Sequence, residues 1–216
     1  MKANLTLLLL CLFLLLAACR EDIMIEPAGI TAGQTIGKGI VYVDLNPDIG
    51  IFLPNLWIKQ DTTITIDIDQ DSIDDCTFRM TGSYPGMMGS GGGSLTLIPL
   101  AGTGLCTVPS AWSDTLLQSP CTTTKLDWVD TLSMADSVWA SCRWTAGEAM
   151  LYRSAWIMSY CSLDEGFWPS VTGTNQWFIG FRLPKEKRSY FGWIGLYRNA
   201  GVYKITGYAY AMEYRE

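Results

Sequence analysis

The chain has 216 residues, with 15 Lys and Arg against 21 Asp and Glu, a net charge of −6, and no histidine. An acidic balance argues against nucleic acid as a partner, and the lack of histidine excludes Ser-His-Asp and Cys-His nucleophile arrangements and every zinc site that needs an imidazole. The length allows one sizeable domain or two very small ones, and aromatic residues at 12 % suit strands and binding faces alike.

The first element is apolar. Lys2 precedes a run from Leu5 to Leu16, which leads through Ala17 and Ala18 to Cys19. A positive start, a short apolar core and small residues form a secretory signal peptide. The run falls short of the roughly 20 apolar residues of a membrane span. Leu16-Ala17-Ala18-Cys19 resembles the bacterial lipobox, Leu-Ala-(Gly/Ala/Ser)-Cys. That resemblance implies cleavage after residue 18, a diacylglyceryl group on the Cys19 thiol, and a membrane anchor through the N-terminal lipid. Residues 19–35, with Pro27, Gly29 and Gly33, then read as a lipidated tether. The acidic pair Glu21-Asp22 just after the cysteine resembles the surface-export signal of Bacteroidetes lipoproteins, which implies display on the outer membrane.

From residue 36 to 216 the chain turns often and shows no long helical period. Ile40 to Val43 is a β-branched, aromatic run that Asn46-Pro47-Asp48 is expected to end. Ile49 to Ile58 is extended and broken by Pro54, and Thr62 to Ile66 alternates polar and apolar residues as a strand with one wet face does. Phe78 to Thr81 and Leu95 to Ile98 are strand candidates flanking a Gly/Met/Ser excursion. That excursion lacks the Gly-Lys-Ser/Thr ending of a phosphate cradle. In the less patterned middle, Leu126 to Asp130 and Val138 to Ala140 read as strands, while Ala146 to Tyr160 fits a strand pair or a short helix. Trp177 to Leu183, Tyr190 to Tyr197 and Val202 to Met212 form an antiparallel meander with turns at Pro184–Ser189 and Arg198–Gly201, with Phe181 and Trp193 buried.

About ten short strands without helix–strand alternation or fixed repeats predict an all-β fold, a single antiparallel β-sandwich of jelly-roll type. Phe178-Ile179-Gly180-Phe181, Tyr190-Phe191-Gly192-Trp193-Ile194 and Ile205 to Tyr210 resemble the closing strands of a group of uncharacterised bacterial secreted and lipid-anchored proteins. The resemblance covers about 40 residues, implies a β-sandwich and carries no activity.

Beyond Cys11 and Cys19 the chain holds Cys76, Cys106, Cys121, Cys142 and Cys161. Five is odd, so at most two disulfides form within the chain and one thiol is left over. Cys106–Cys121 and Cys142–Cys161 close the shortest loops; the alternative is that several are buried small hydrophobes. No C-x2-C pair is present to suggest a zinc thiolate cluster.

One constellation carries defined chemistry. Asp67, Asp69, Asp71 and Asp75 occupy positions 1, 3, 5 and 9 of an acidic loop, with the carbonyl of Ile73 at position 7. A hard divalent cation takes six or more oxygens at about 2.3–2.6 Å, and carboxylates at odd positions of a tight turn supply several. The spacing resembles calcium loops of the EF-hand, dockerin and thrombospondin type 3 kinds, which implies calcium as the ligand. Ser72 departs from the pattern, because those families place Gly there for a backbone of positive φ.

These features point to a non-catalytic, lipid-anchored surface protein, structural or ligand-binding, with calcium holding one loop. The alternative is a carbohydrate-binding accessory lipoprotein of a polysaccharide-uptake system, with tryptophans between Trp112 and Trp193 as a stacking platform; its partner is a glycan or another surface protein. A glycoside hydrolase built on Asp164-Glu165 comes third, since adjacent strand residues point to opposite faces while a glycosidase needs two carboxyls facing one bond.

Overall fold

Runs of β-branched and aromatic residues, cut by Gly and Pro every ten residues or so, favour extended chain over helix. The computed structural model describes residues 30–52, 60–83, 90–108, 127–138, 142–157, 161–166, 176–185, 188–199 and 202–211, and every regular element among them is a β-strand. In chain order these are β1 (Ile40–Phe52), β2 (Gln60–Ile66), β3 (Cys76–Ser83), β4 (Ser90–Pro99), β5 (Gly104–Val108), β6 (Asp127–Val129), β7 (Thr131–Leu132), β8 (Arg143–Thr145), β9 (Ala149–Ile157), β10 (Cys161–Gly166), β11 (Gln176–Lys185), β12 (Arg188–Asn199) and β13 (Val202–Ala211). The all-β expectation holds. The signal peptide and Cys19 lie outside the described residues.

Strand pairing runs through one sheet in the order β1-β13-β12-β11-β5-β6-β9-β4-β3-β2, with β10 on β9, β7 on β11 and β8 on β5. Among the described residues every pairing is antiparallel except β6 with β9. The sheet curls so that both ends face one core. Phe78 and Met80 of β3 and Leu95 and Leu97 of β4 join Ile179 and Phe181 of β11 and Ile194 of β12 in one buried cluster.

β11 to β13 are apolar almost throughout because both of their faces are covered, unlike a strand with one wet side. On β11, Trp177, Ile179, Phe181 and Leu183 enter the larger core, while Phe178 enters a second cluster on the opposite face with Phe191 and Trp193 of β12. On β13 the alternation slips at Thr206. Gly195 pairs with Gly207 but Leu196 pairs with Ile205, so Thr206 is an extra residue. That bulge is why Ile205 and Tyr208, three apart, both face the larger core.

Gly192 in the Tyr-Phe-Gly-Trp-Ile run has a steric reason. It pairs with Phe181, and a Cβ there would lie 2.3 Å from both the Phe181 ring and the Ala209 carbonyl oxygen. The aromatic ring occupies the space that the glycine leaves.

Three sequence expectations are corrected and one open alternative is resolved. β1 does not end at Asn46-Pro47-Asp48; pairing with β13 resumes at Ile49 after a register shift that begins at Asp44, which an edge strand tolerates. Ala149–Ile157 is a strand, β9, held between β4 and β10. Pro184 and Lys185 belong to β11, paired with Ser189 and Arg188, instead of opening a turn. Finally, the tether does not extend to residue 35. Ile30 and Ala32 are buried in the second core, Ala32 N–H donates to the Asp136 carbonyl, and Val138 N–H donates to the Ile30 carbonyl. The folded unit therefore takes in residues from 30 onward. Val138 belongs to that same contact and is buried there, outside any strand.

The disulfide also departs from expectation. Cys106 is bonded to Cys142, with Cα atoms 4.9 Å apart, so neither Cys106–Cys121 nor Cys142–Cys161 forms. The reason is sheet adjacency. β5 pairs with β8 so that Cys106 lies opposite Trp144, which brings Cys142 alongside. Cys121 lies outside the described residues. Cys76 is free and fully buried, and burial holds its thiol far above the ordinary range, so it acts as a small core hydrophobe.

Candidate functional site

The acidic loop joins β2 to β3 and is pinned at both ends. Ile66 pairs with Cys76 across its base, the Asp75 N–H donates to the Ile66 carbonyl, and Ile68 is fully buried beneath it. From the other end of the sheet, the Tyr208 hydroxyl donates to the Asp67 carbonyl at 3.3 Å. The loop thus rests on β13, although sequence places it beside β2 and β3 alone.

Within the loop the carboxylates first serve the backbone. Asp67 Oδ2 accepts from Ser72 N–H at 2.7 Å, and Asp71 Oδ1 accepts from Ile73 N–H at 2.9 Å. The Asp71 N–H lies between Asp67 Oδ1 and Asp69 Oδ1, at 3.2 and 3.3 Å. Such bonds to N–H groups ahead in the chain turn it back on itself. The turn needs left-handed backbone at two side-chain-bearing positions, Gln70 (φ 61°) and Ser72 (φ 72°). Ser72 thus takes the conformation for which calcium-loop families use Gly, at a steric cost of about 1–2 kcal/mol.

The result is a triad. Asp67, Asp69 and Asp71 each offer a carboxylate oxygen, and these oxygens lie within 4.8 Å of one another, a donor set that can bind a metal ion. Oxygen-only ligands suit hard cations such as calcium, magnesium or manganese. Asp75 is not in this group. It is 4 % exposed, its Oδ2 accepts from Ile68 N–H at 2.7 Å, and burial pushes its carboxyl up. Its task is to hold the start of the loop. Ile73 contributes its N–H to Asp71 and leaves its side chain in solvent.

Sequence reasoning missed the triad's cation. Lys185, the last residue of β11, forms ion pairs with Asp69 Oδ2 and Asp71 Oδ2. Hydrogen bonding to Lys185 holds the Asp71 carboxyl below the usual range, and the pairs with Asp69 and then Asp71 hold the Lys185 ammonium above its own. The two carboxyls respond oppositely to acid. A lowered Asp71 stabilises the fold above the ordinary carboxylate pKa, and that stabilisation is lost as pH falls through the lowered value. A raised Asp75 favours the fold when protonated, and that gain is lost as pH rises through the raised value. No local signal marks Lys185, which is 114 positions from Asp71.

The other candidates separate. Trp177 and Trp193 are buried, and Trp144 packs against Phe191 and beneath the Arg182 guanidinium. Trp112, Trp139 and Trp168 lie outside the described residues. Asp164 and Glu165 occupy consecutive positions on β10, paired with Ser154 and Arg153 of β9. No known family model matches the chain, and no curated protein or solved structure matches it either.

Proposed function

We propose that this chain is a lipid-anchored outer-membrane protein, non-catalytic, whose Asp67–Asp75 loop takes calcium, which orders the loop itself. The convergence of Asp67, Asp69 and Asp71 carries the reading. Three carboxylates on a loop whose backbone already turns through their own side chains offer a donor set for a cation, and the chain has no histidine for a Ser-His-Asp or Cys-His arrangement. The lipobox-like Leu16-Ala17-Ala18-Cys19 supports the anchor, and calcium at millimolar levels outside a cell suits a loop of modest affinity.

A ligand that binds only the folded state stabilises it by about 2.7 kcal/mol at 100 times its dissociation constant. For a domain of this size that corresponds to a rise in melting temperature of roughly 5–11 °C. The detergent-purified full chain is expected to melt higher in calcium, and chelation is expected to reverse the gain. Asp69→Ala removes the response. Ser72→Gly strengthens it, because glycine takes positive φ without a Cβ clash. Calorimetry that records no calcium uptake at millimolar concentration overturns the calcium part of this reading. For the anchor, Cys19→Ala is expected to leave the membrane fraction; unchanged detergent partitioning by that variant contradicts lipidation at Cys19.

A further inference from the structure

Lys185 reaches the loop from the far end of β11, and its ammonium lies against Asp69 Oδ2 and Asp71 Oδ2. The Asp69 side chain is only 7 % exposed, and its buried Oδ2 is paired with the Lys185 ammonium. A buried carboxylate is costly to leave without a compensating positive charge or donor. What answers it here is the positive charge of the ammonium, and a spherical cation answers it without any demand on direction.

We propose that Lys185 is a tethered cation occupying the position that a divalent metal takes in this loop, so that ammonium and metal compete for the same oxygens of Asp69 and Asp71. This inference rests on the calcium reading above and adds its regulation. The competition follows from space and charge. The triad's oxygens span no more than 4.8 Å, and a calcium ion bonded to them at about 2.3–2.6 Å leaves no room for a second positive group among them. Metal entry therefore expels Lys185 and unties the end of β11 from the β2–β3 loop. In the absence of metal the lysine neutralises part of the triad's repulsion and keeps the loop closed on the sheet. Apparent affinity then falls by the fraction of molecules in which the lysine has left, so a lysine-closed state populated about nine times in ten weakens calcium binding about tenfold.

The test uses calorimetry on the detergent-purified full chain, as wild type and as Lys185→Met and Lys185→Gln. It adds acetic anhydride labelling of lysines read by mass spectrometry, with Lys204 as internal reference. The expected result is calcium binding at least about tenfold tighter in both variants, together with a several-fold rise in Lys185 labelling when wild type takes up calcium. If wild type and variants bind calcium equally and Lys185 labelling does not change, the competition is refuted while the calcium site stands. If the variants bind and wild type does not, Lys185 is the permanent occupant; the competition is upheld and the calcium reading of the natural chain fails. If none of the three binds calcium, the site itself is refuted, and the inference with it. Retention of cooperative melting by Lys185→Gln in chelator separates loss of binding from loss of fold.

Discussion

Trp193→Ala is expected to lower stability by about 3–5 kcal/mol, the usual cost of truncating a large buried aromatic, or roughly 6–20 °C in melting temperature for a chain of this size. Trp193 is 3 % exposed and sits where three parts of the fold meet. Its ring packs edge-on against Phe178 of β11 with centroids 5.0 Å apart, and Tyr42 of β1 approaches to 5.9 Å. Its Nε1–H donates to the Gln34 carbonyl at 3.2 Å, tying the N-terminal segment to β12. Truncation removes the ring contacts and leaves that carbonyl without its donor, so the second core opens at its centre. Trp193→Phe keeps most of the ring and loses the hydrogen bond, for which about 0.5–1.5 kcal/mol is expected. Thermal denaturation of the three proteins decides the matter; an Ala variant that melts with wild type refutes Trp193 as the joint between these layers.

The C-terminal meander was legible because β11, β12 and β13 are long, apolar and separated by short turns, and their pairing is local. Phe181 and Trp193 are buried as the pattern predicts, although on opposite faces of the meander. The acidic loop was legible for the same reason, since the hydrogen bonds among its own residues 67–73 span five residues or fewer. Even the strain at Ser72 follows from comparing its type with glycine at that position. What sequence could not deliver is everything set by the curl of the sheet. Lys185 meets Asp69, and Tyr208 meets Asp67, because β11 and β13 face β2 and β3 across the core, and no periodicity encodes that approach. Ile30 and Ala32 looked like tether because each is a lone apolar residue among Gly, Thr and Gln; only the cover they give Phe178 and Trp193 makes them core.

The disulfide is a second case of register overriding local reasoning, and it gives the other large effect. Loop length favoured Cys106–Cys121, yet closing the observed separation of 36 instead of one less than half as long costs under about 1 kcal/mol in chain entropy. Strand pairing outweighs that easily. Cys106 is fully buried, and a side chain at Gly180 would lie 3.0 Å from both Cys106 Cβ and Cys142 Sγ, so the bridge packs directly on β11. It therefore fastens the 142–145 segment over the second core and shortens the unfolded chain's reach. By the chain-entropy relation, a crosslink over this separation stabilises by about 4 kcal/mol. Replacing both cysteines with Ala, or reducing the bridge, is expected to cost that much, seen as a fall in the denaturant midpoint of the full chain. Cys121→Ser, which leaves the Cys106–Cys142 bridge intact, is expected to keep that stabilisation. Peptide mapping under non-reducing conditions supplies the direct check. A linked pair of peptides carrying Cys106 and Cys142 confirms the adjacency of β5 and β8, while linkage of Cys106 to Cys121 places the second core's cover wrongly and takes the register of β8 with it.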